Sequence, residues 1–161
     1  MSDVLSQDLD GTFTHWVRAE FVNSVSVGDI VIPKSNLMGK PVGLWISWNN
    51  GWEDWCSSEQ PDWIGVGHNC FSVSLRRDLK LWLIDSMDDF MSVWSQFTDK
   101  PPIFSLPLNM FWFWLKERGY DGVALTNEGQ WATRMNTFMY GWDCQCIVIF
   151  DSKNVTLTKV D

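Results

Sequence analysis

Basic residues are scarce in this chain of 161 residues. It has 12 Lys plus Arg against 20 Asp plus Glu, which gives a formal net charge of −8. A protein that binds duplex DNA normally presents a basic face to the phosphates, so extensive binding to duplex DNA is not expected. The acidity still allows a nucleic-acid substrate held at one small site, or a basic partner.

Long apolar runs are also missing. No run approaches the roughly 20 residues that a helix needs to span a bilayer. The sequence begins MSDVLSQDLDG, which is polar and acidic. We therefore expect no membrane span and no signal peptide. The chain is expected to be a soluble protein of the cytoplasm.

Residues for metal and nucleophile chemistry are few. The chain has only two histidines, so an HExxH metal motif cannot occur, and no GxSxG sequence is present for a serine hydrolase. Its four cysteines are Cys56, Cys70, Cys144 and Cys146. Zinc held by His68, Cys70, Cys144 and Cys146 is an alternative, but the spacing within each pair is tighter than in most zinc knuckles. We predict reduced thiols and no metal site.

Tryptophan, in contrast, is abundant: the chain has 12, and four of them lie among the 17 residues from Lys40 to Cys56. Here GLWIS is predicted to be a strand, NNG a turn and WEDWC the start of a helix. A strand that turns sharply into a helix, with rings on both arms, suits a flat-walled pocket for a planar ligand. The same rings could instead fill a small core, and the segment alone favours neither interpretation.

The order of elements predicts one α+β domain over residues 1–161, with 1–11 as a flexible lead-in. Strands are predicted over 13–22, 28–33, 43–47, 70–75, 79–84, 120–125, 146–150 and 155–160. Helices are predicted over 52–59, 87–96 and 108–118, and 126–140 is predicted to be a loop with at most a helical turn. The short connection at 76–78 predicts a hairpin between the strands on either side of it.

This order of segments resembles the ADP-ribosyltransferase superfamily, as seen in poly(ADP-ribose) polymerases, over roughly residues 13–160. The resemblance implies a split β-sheet core with two or three helices. The KPxGLWxS and YGWDC patterns are also similar to those of short uncharacterised proteins of phages and mobile elements.

The resemblance also implies a site for NAD. In the family, a strand with a Gly-apolar-aromatic pattern precedes a helix that carries a second aromatic residue, and the two rings enclose nicotinamide. Trp45 and Trp55 match these two positions. Gly43 would let the ligand approach the backbone closely, and Ser47 would lie near the ligand at the strand end.

A residue that holds the ribose is expected on the first strand, where the family has an Arg or a His. His15 and Arg18 both match. Because side chains alternate along a strand, residues three apart face opposite sides, and at most one of the two is expected to contact the ligand.

The catalytic glutamate of the family has no direct match. Its position corresponds to Gln145 or Cys146, and neither side chain carries charge. The nearest carboxylate is Asp143, which we predict replaces the glutamate. Asp121 and Glu128, from neighbouring loops, are further candidates.

The function implied by the resemblance is binding of NAD or a related nucleotide, with transfer of ADP-ribose to a host protein or a nucleic-acid base. One alternative is an inactive acidic protein that sequesters a nucleotide or inhibits a host factor. The other is a tryptophan-lined module that binds a glycan or a modified base, with affinity supplied by stacking.

Overall fold

The structure is a computed structural model that describes residues 2–18, 40–102, 108–136 and 138–161. Within these ranges the chain forms eight strands and four α-helices. The strands are β1 Asp3–Leu5, β2 Phe13–Arg18, β3 Leu44–Trp48, β4 His68–Leu75, β5 Lys80–Ile84, β6 Gly122–Leu125, β7 Cys146–Ile149 and β8 Val155–Lys159. The helices are α1 Gly51–Glu59, α2 Met87–Phe97, α3 Leu108–Glu117 and α4 Asn127–Thr133. This confirms the predicted α+β class.

Two helices, α2 and α4, begin at a side-chain cap, whereas α1 begins after Asn50 without one. The Ser86 hydroxyl accepts a hydrogen bond from the Asp89 backbone at the start of α2, as its position before an acidic first turn predicts. Thr126 caps α4 in the same way through the Gly129 backbone. The sequence had predicted a loop over α4, because its short, polar segment shows no helical apolar period. No helix in the described ranges is long and apolar enough to cross a membrane.

The eight strands hydrogen-bond in the order β1-β5-β6-β7-β3-β2-β4-β8. The β5–β6 pair is parallel, and the other neighbouring pairs are antiparallel. The predicted β4–β5 hairpin is wrong, because both edges of β4 are occupied by β2 and β8. The predicted flexible lead-in is also wrong, since Asp3–Leu5 forms the edge strand β1 on β5. The predicted strand over 28–33, and the end of the one over 13–22, lie outside the described residues.

The centre of the sheet has one short ladder. Strands β2 and β3 pair through two residue pairs only, Phe13 with Trp48 and Thr14 with Ser47. Beyond them β2 continues along β4 as far as Arg18, while β3 continues along β7. The two strands therefore separate, and we call this place the β2–β3 seam. The sheet is continuous across the seam, and the ADP-ribosyltransferase-like arrangement stays a prediction.

Alternation along the strands puts a hydrophobic cluster on each face of the sheet. One cluster includes Trp82, Val123 and Val148 and is covered by aromatic side chains of α2 and α3. The other includes the adjacent residues of the same strands, such as Leu81, Ala124 and Ile147. Strands β5, β6 and β7 are thus buried on both faces. This gives a rigid frame for the open seam beside them.

Candidate functional site

A cavity of about 510 Å³ lies at the β2–β3 seam. Its walls come from β2, β3, the start of β4, helix α1, the turn after α1 and the segment that leads into β7. The size falls in the range of roughly 300–1,000 Å³ that is usual for small-molecule sites. We call it the seam cavity, and it exists because the backbone ladder that would close this space stops at Thr14 and Ser47.

Tryptophan rings form much of the wall. Trp45 lines the seam cavity from β3, and its ring packs on Trp142 with the ring centroids 4.7 Å apart. Trp52 and Trp63 line it from the α1 side, stacked on each other at 5.8 Å. Trp55, predicted to contact the ligand, is not among the lining residues: its ring stacks on Trp52 at 5.1 Å. The helical turn brings Trp52 to the cavity and leaves Trp55 to support it.

His15 and Arg18 both line the seam cavity, and the expectation that at most one of them contacts a ligand stays a prediction. Within the described ranges no strand pairs with this edge of β2 beyond Thr14, and residues from both faces of a strand can border such an edge. The His15 imidazole reaches across the seam, with Nδ1 2.7 Å from the Trp45 carbonyl oxygen. The seam is therefore bridged here by a side chain rather than by backbone pairing.

The protonation state of His15 follows from its surroundings. Burial lowers its pKa below the usual 6.5, although the hydrogen bond to the Trp45 carbonyl acts in the opposite direction. The ring is therefore neutral at pH 7. Nδ1 faces a carbonyl and must carry the proton, which leaves Nε2 as a hydrogen-bond acceptor.

The charges in the seam cavity differ from those of the whole chain. Arg18 and Lys40 line it, whereas Asp143 is the one carboxylate among the described lining residues. The Lys40 ammonium also lies 5.1 Å from the centroid of the Trp45 ring. A chain with a net charge of −8 thus gathers two permanent cations around a set of aromatic rings.

The predicted catalytic residues separate in the structure. Asp143 is exposed and lines the seam cavity. Gln145 does not line it, because its side-chain oxygen accepts a hydrogen bond from the Asn127 backbone at 3.1 Å, at the start of α4. Residues two apart on an extended strand would face the same side, so the difference arises because the chain bends at Cys144 and Gln145 before β7 begins. Asp121 and Glu128 do not line the cavity either.

Gly43 allows a close approach of two strands. It does not line the seam cavity, and a Cβ placed on it would lie 2.6 Å from the Ile149 carbonyl oxygen. The close backbone approach that the glycine permits is thus that of β7. Ser47 does line the cavity, and its hydroxyl oxygen accepts a hydrogen bond from the Trp52 backbone at 3.1 Å.

Glu53 is the residue of this site that the sequence analysis missed. Its carboxylate accepts hydrogen bonds from the Thr14 hydroxyl at 2.5 Å, from the Trp16 indole at 2.8 Å and from the Ser47 hydroxyl. Burial by itself raises the pKa of Glu53, but these three hydrogen bonds outweigh it and the pKa is lowered. The sequence offered one signal for such an acceptor: Thr14 and Trp16 can both donate a hydrogen bond, and they share a face of β2.

The cysteine thiols that line the cavity have raised pKa values. Cys144 and Cys146 line the seam cavity, and burial raises the pKa of Cys144 to about 12 and that of Cys146 well above its usual value. Since the thiolate is the nucleophile, attack by these thiols is not favoured at neutral pH. In the part of the chain that the structure describes, no three His, Cys, Asp or Glu side chains are grouped to hold a metal ion.

Comparison with protein-family models, with curated proteins and with solved structures gave no match for this chain. Its likeness to ADP-ribosyltransferases therefore rests on the order of its sequence segments. The chemistry of the seam cavity is the basis on which a function can be proposed.

Proposed function

We propose that the chain is an ADP-ribosyltransferase-like protein that binds NAD or a related nucleotide in the seam cavity. One observation carries the proposal: a single cavity combines stackable tryptophan rings with Arg18 and Lys40. Nucleotides have a planar ring at one end and phosphate charge nearby, so these two kinds of group are the ones that recognise them.

The parts of the ligand can be assigned to parts of the cavity. The rings of Trp45, Trp52 and Trp63 offer stacking surfaces to a base or to nicotinamide. The guanidinium of Arg18 suits a phosphate, since its planar fork is always charged. The neutral His15 offers Nε2 as an acceptor, which matches a ribose hydroxyl.

Transfer of ADP-ribose needs a carboxylate beside the sugar. In that reaction the bond between ribose C1′ and the nicotinamide nitrogen breaks, and nicotinamide leaves with the bonding electrons. A nucleophile of the acceptor then forms a bond to C1′ and loses its proton. Asp143 is the lining residue that can stabilise the positive charge on the sugar between these steps. The acceptor is a protein side chain or a nucleic-acid base.

Binding without transfer is the second candidate function. It is favoured by the family's catalytic position, because Gln145 is bonded to the start of α4 and Cys146, which lines the cavity, is a thiol with a raised pKa and no charge. Asp143 is exposed, and an exposed carboxylate is less effective at stabilising developing charge than a buried one. The chain would then sequester a nucleotide through the same rings and cations.

Calorimetric titration with NAD tests the proposed binding. We expect a micromolar dissociation constant for the unchanged protein. For Arg18→Gln the dissociation constant should be higher by roughly tenfold or more, because a charged hydrogen bond to phosphate is lost. Arg76→Gln, an exposed arginine outside the cavity, is the matched control and should bind as the unchanged protein does. Binding of an oligosaccharide instead of NAD would favour the glycan module and contradict the proposal.

Incubation with labelled NAD and a cell lysate separates transfer from binding alone. Asp143→Asn should abolish label transfer while NAD affinity is kept. Glu128→Gln, which changes an exposed carboxylate of α4, should leave transfer intact. If the unchanged protein binds NAD and transfers no label, the function is binding without transfer.

A further inference from the structure

A side-chain network continues the connection between β2 and β3 where their backbone pairing ends. The last backbone pair is Thr14 with Ser47. The Glu53 carboxylate, from the first turn of α1, accepts hydrogen bonds from both of these hydroxyls and from the Trp16 indole. One carboxylate thus ties two strands to a helix at the inner end of the seam.

The three donors share a second property, since each of them lines the seam cavity. Glu53 itself is not among the lining residues, and it stands behind them. Both of its oxygens are engaged: Oε1 by Thr14 and Trp16, and Oε2 by Ser47. Glu53 is therefore placed to set the positions of the wall rather than to contact a ligand.

The network also reaches a ligand-facing ring. The Ser47 hydroxyl donates to Glu53 and accepts from the Trp52 backbone N–H at 3.1 Å. This chain of hydrogen bonds runs from β2 through Glu53 and Ser47 to the start of α1. A change at Glu53 would shift Trp16 on one wall and Trp52 on the other at the same time.

We propose that Glu53 is a positioning residue that fixes the width of the seam cavity and so sets its affinity for a nucleotide. This inference rests on the proposed function. Hydrogen bonds to an ionised carboxylate are stronger than those between neutral groups, so one acidic residue can reinforce the connection between two strands that the backbone joins through two residue pairs only. The lowered pKa of Glu53 agrees with an ionised group at neutral pH.

Two substitutions of different severity test this role. Glu53→Ala removes all three hydrogen bonds, whereas Glu53→Gln keeps the shape and one acceptor oxygen. The indole N–H of Trp16 can only donate, so it must keep that oxygen, and the amide group then faces Ser47. Asp54→Asn, an exposed carboxylate next in the same helix, is the matched control.

The measurements are the dissociation constant for NAD by calorimetry and the NMR signal of the Trp16 indole N–H, assigned by its loss in Trp16→Phe. We expect about tenfold weaker NAD binding for Glu53→Ala, partial recovery for Glu53→Gln and no change for Asp54→Asn. The indole signal should shift in both Glu53 variants, because its charged partner is lost or neutralised. Thermal melts show that each variant is folded at the temperature of the titration.

The outcomes separate this inference from the proposed function. Unchanged NAD affinity in either folded Glu53 variant, or an unmoved Trp16 signal, overturns the positioning role and leaves nucleotide binding intact. If Glu53→Ala does not fold, Glu53→Gln alone decides. Absence of NAD binding in the unchanged protein overturns the proposed function. In that case, shifts of the Trp16 indole and of the 15–18 backbone amides in Glu53→Gln, absent in Asp54→Asn, would still support the control of cavity width by Glu53.

Discussion

Tryptophan serves two different ends in two regions of this molecule. Trp82 and Trp94 lie between the sheet and the outer faces of α2 and α3, in what we call the closed region. They are 0% exposed and pack in a continuous aromatic cluster with Phe90 and Phe111. At the seam, Trp63 is 47% exposed and lines an open cavity with Trp52. The residue type is the same, and the accessibility of the ring is opposite.

The continuity of the sheet explains the difference. Under the closed region, β5, β6 and β7 pair through four residue pairs at each boundary, and the helices above them have a level surface to cover. At the seam the ladder has two pairs and the strands separate. Tryptophan rings that pack on continuously paired strands are buried, whereas rings beside the interrupted β2–β3 pairing border the seam cavity. A local count of tryptophan therefore says little about function until the strand pairing is known.

The largest expected effect comes from removing a ring of the closed region. Trp94 packs against Phe90, Phe111 and Phe138, and its indole donates a hydrogen bond to the Lys100 carbonyl at 2.8 Å. Trp94→Ala should lower the free energy of unfolding by about 3–5 kcal/mol, because it leaves a cavity and an unpaired carbonyl. Urea denaturation followed by circular dichroism measures the loss.

The matched variant is Trp63→Ala in the open region. About half of that side chain is already in water, so the cost should be about 1 kcal/mol or less. Equal losses for the two variants would mean that the seam tryptophans are core residues, and the contrast between the regions would fail.

Local signals predicted most elements of this fold. The alternating apolar pattern of β4, the β-branched apolar run of β7 and the Ser86 cap of α2 are readable because each depends on residues close together in the chain. The partners of each strand in the sheet could not be predicted from the sequence. The short turn at 76–78 looks like a hairpin, yet β4 and β5 lie far apart in the sheet because each finds its neighbours elsewhere in the chain.

The candidate site shows the same limit. The sequence analysis located Trp45, His15 and Asp143, which all line the seam cavity. It did not find Glu53, whose role depends on donors 39 and 37 positions away, at Thr14 and Trp16. A carboxylate in the first turn of a helix is ordinary, and it becomes notable only when the fold brings both strands to it.

The second prediction compares two neighbouring rings of α1. Trp52 lines the seam cavity, and Trp55 stacks behind it. If a planar ligand stacks in the cavity, Trp52→Ala should weaken NAD binding by about 1–3 kcal/mol, or roughly 5-fold to 150-fold. Trp55→Ala should have a smaller effect, because it removes only support for Trp52. Calorimetric titration measures both, and a larger loss for Trp55→Ala would restore the original assignment of the ligand-facing ring.

The smallest expected effect is a difference in acid sensitivity between His15 and Glu53, which hold the two ends of the seam. Both have a pKa lowered in the folded protein, from 6.5 and from 4.5 respectively, so in each case the unfolded chain binds its proton at a higher pH. Each group therefore favours folding above its unfolded pKa, and that contribution is lost as the pH falls below it. The His15 loss begins near pH 6.5, and the Glu53 loss begins near pH 4.5.

Denaturation curves at a series of pH values separate these two contributions. His15→Asn keeps a donor for the Trp45 carbonyl and removes the titrating ring, so it should flatten the part of the stability profile that begins as the pH falls below about 6.5. Glu53→Gln should flatten it below about pH 4.5 only, because above that value both states of the unchanged protein are ionised. Profiles that run parallel to that of the unchanged protein across both windows would show that neither group couples protonation to folding. The seam would then be held by its packing, as the closed region is. The two regions would no longer differ in whether charged side chains contribute to their stability.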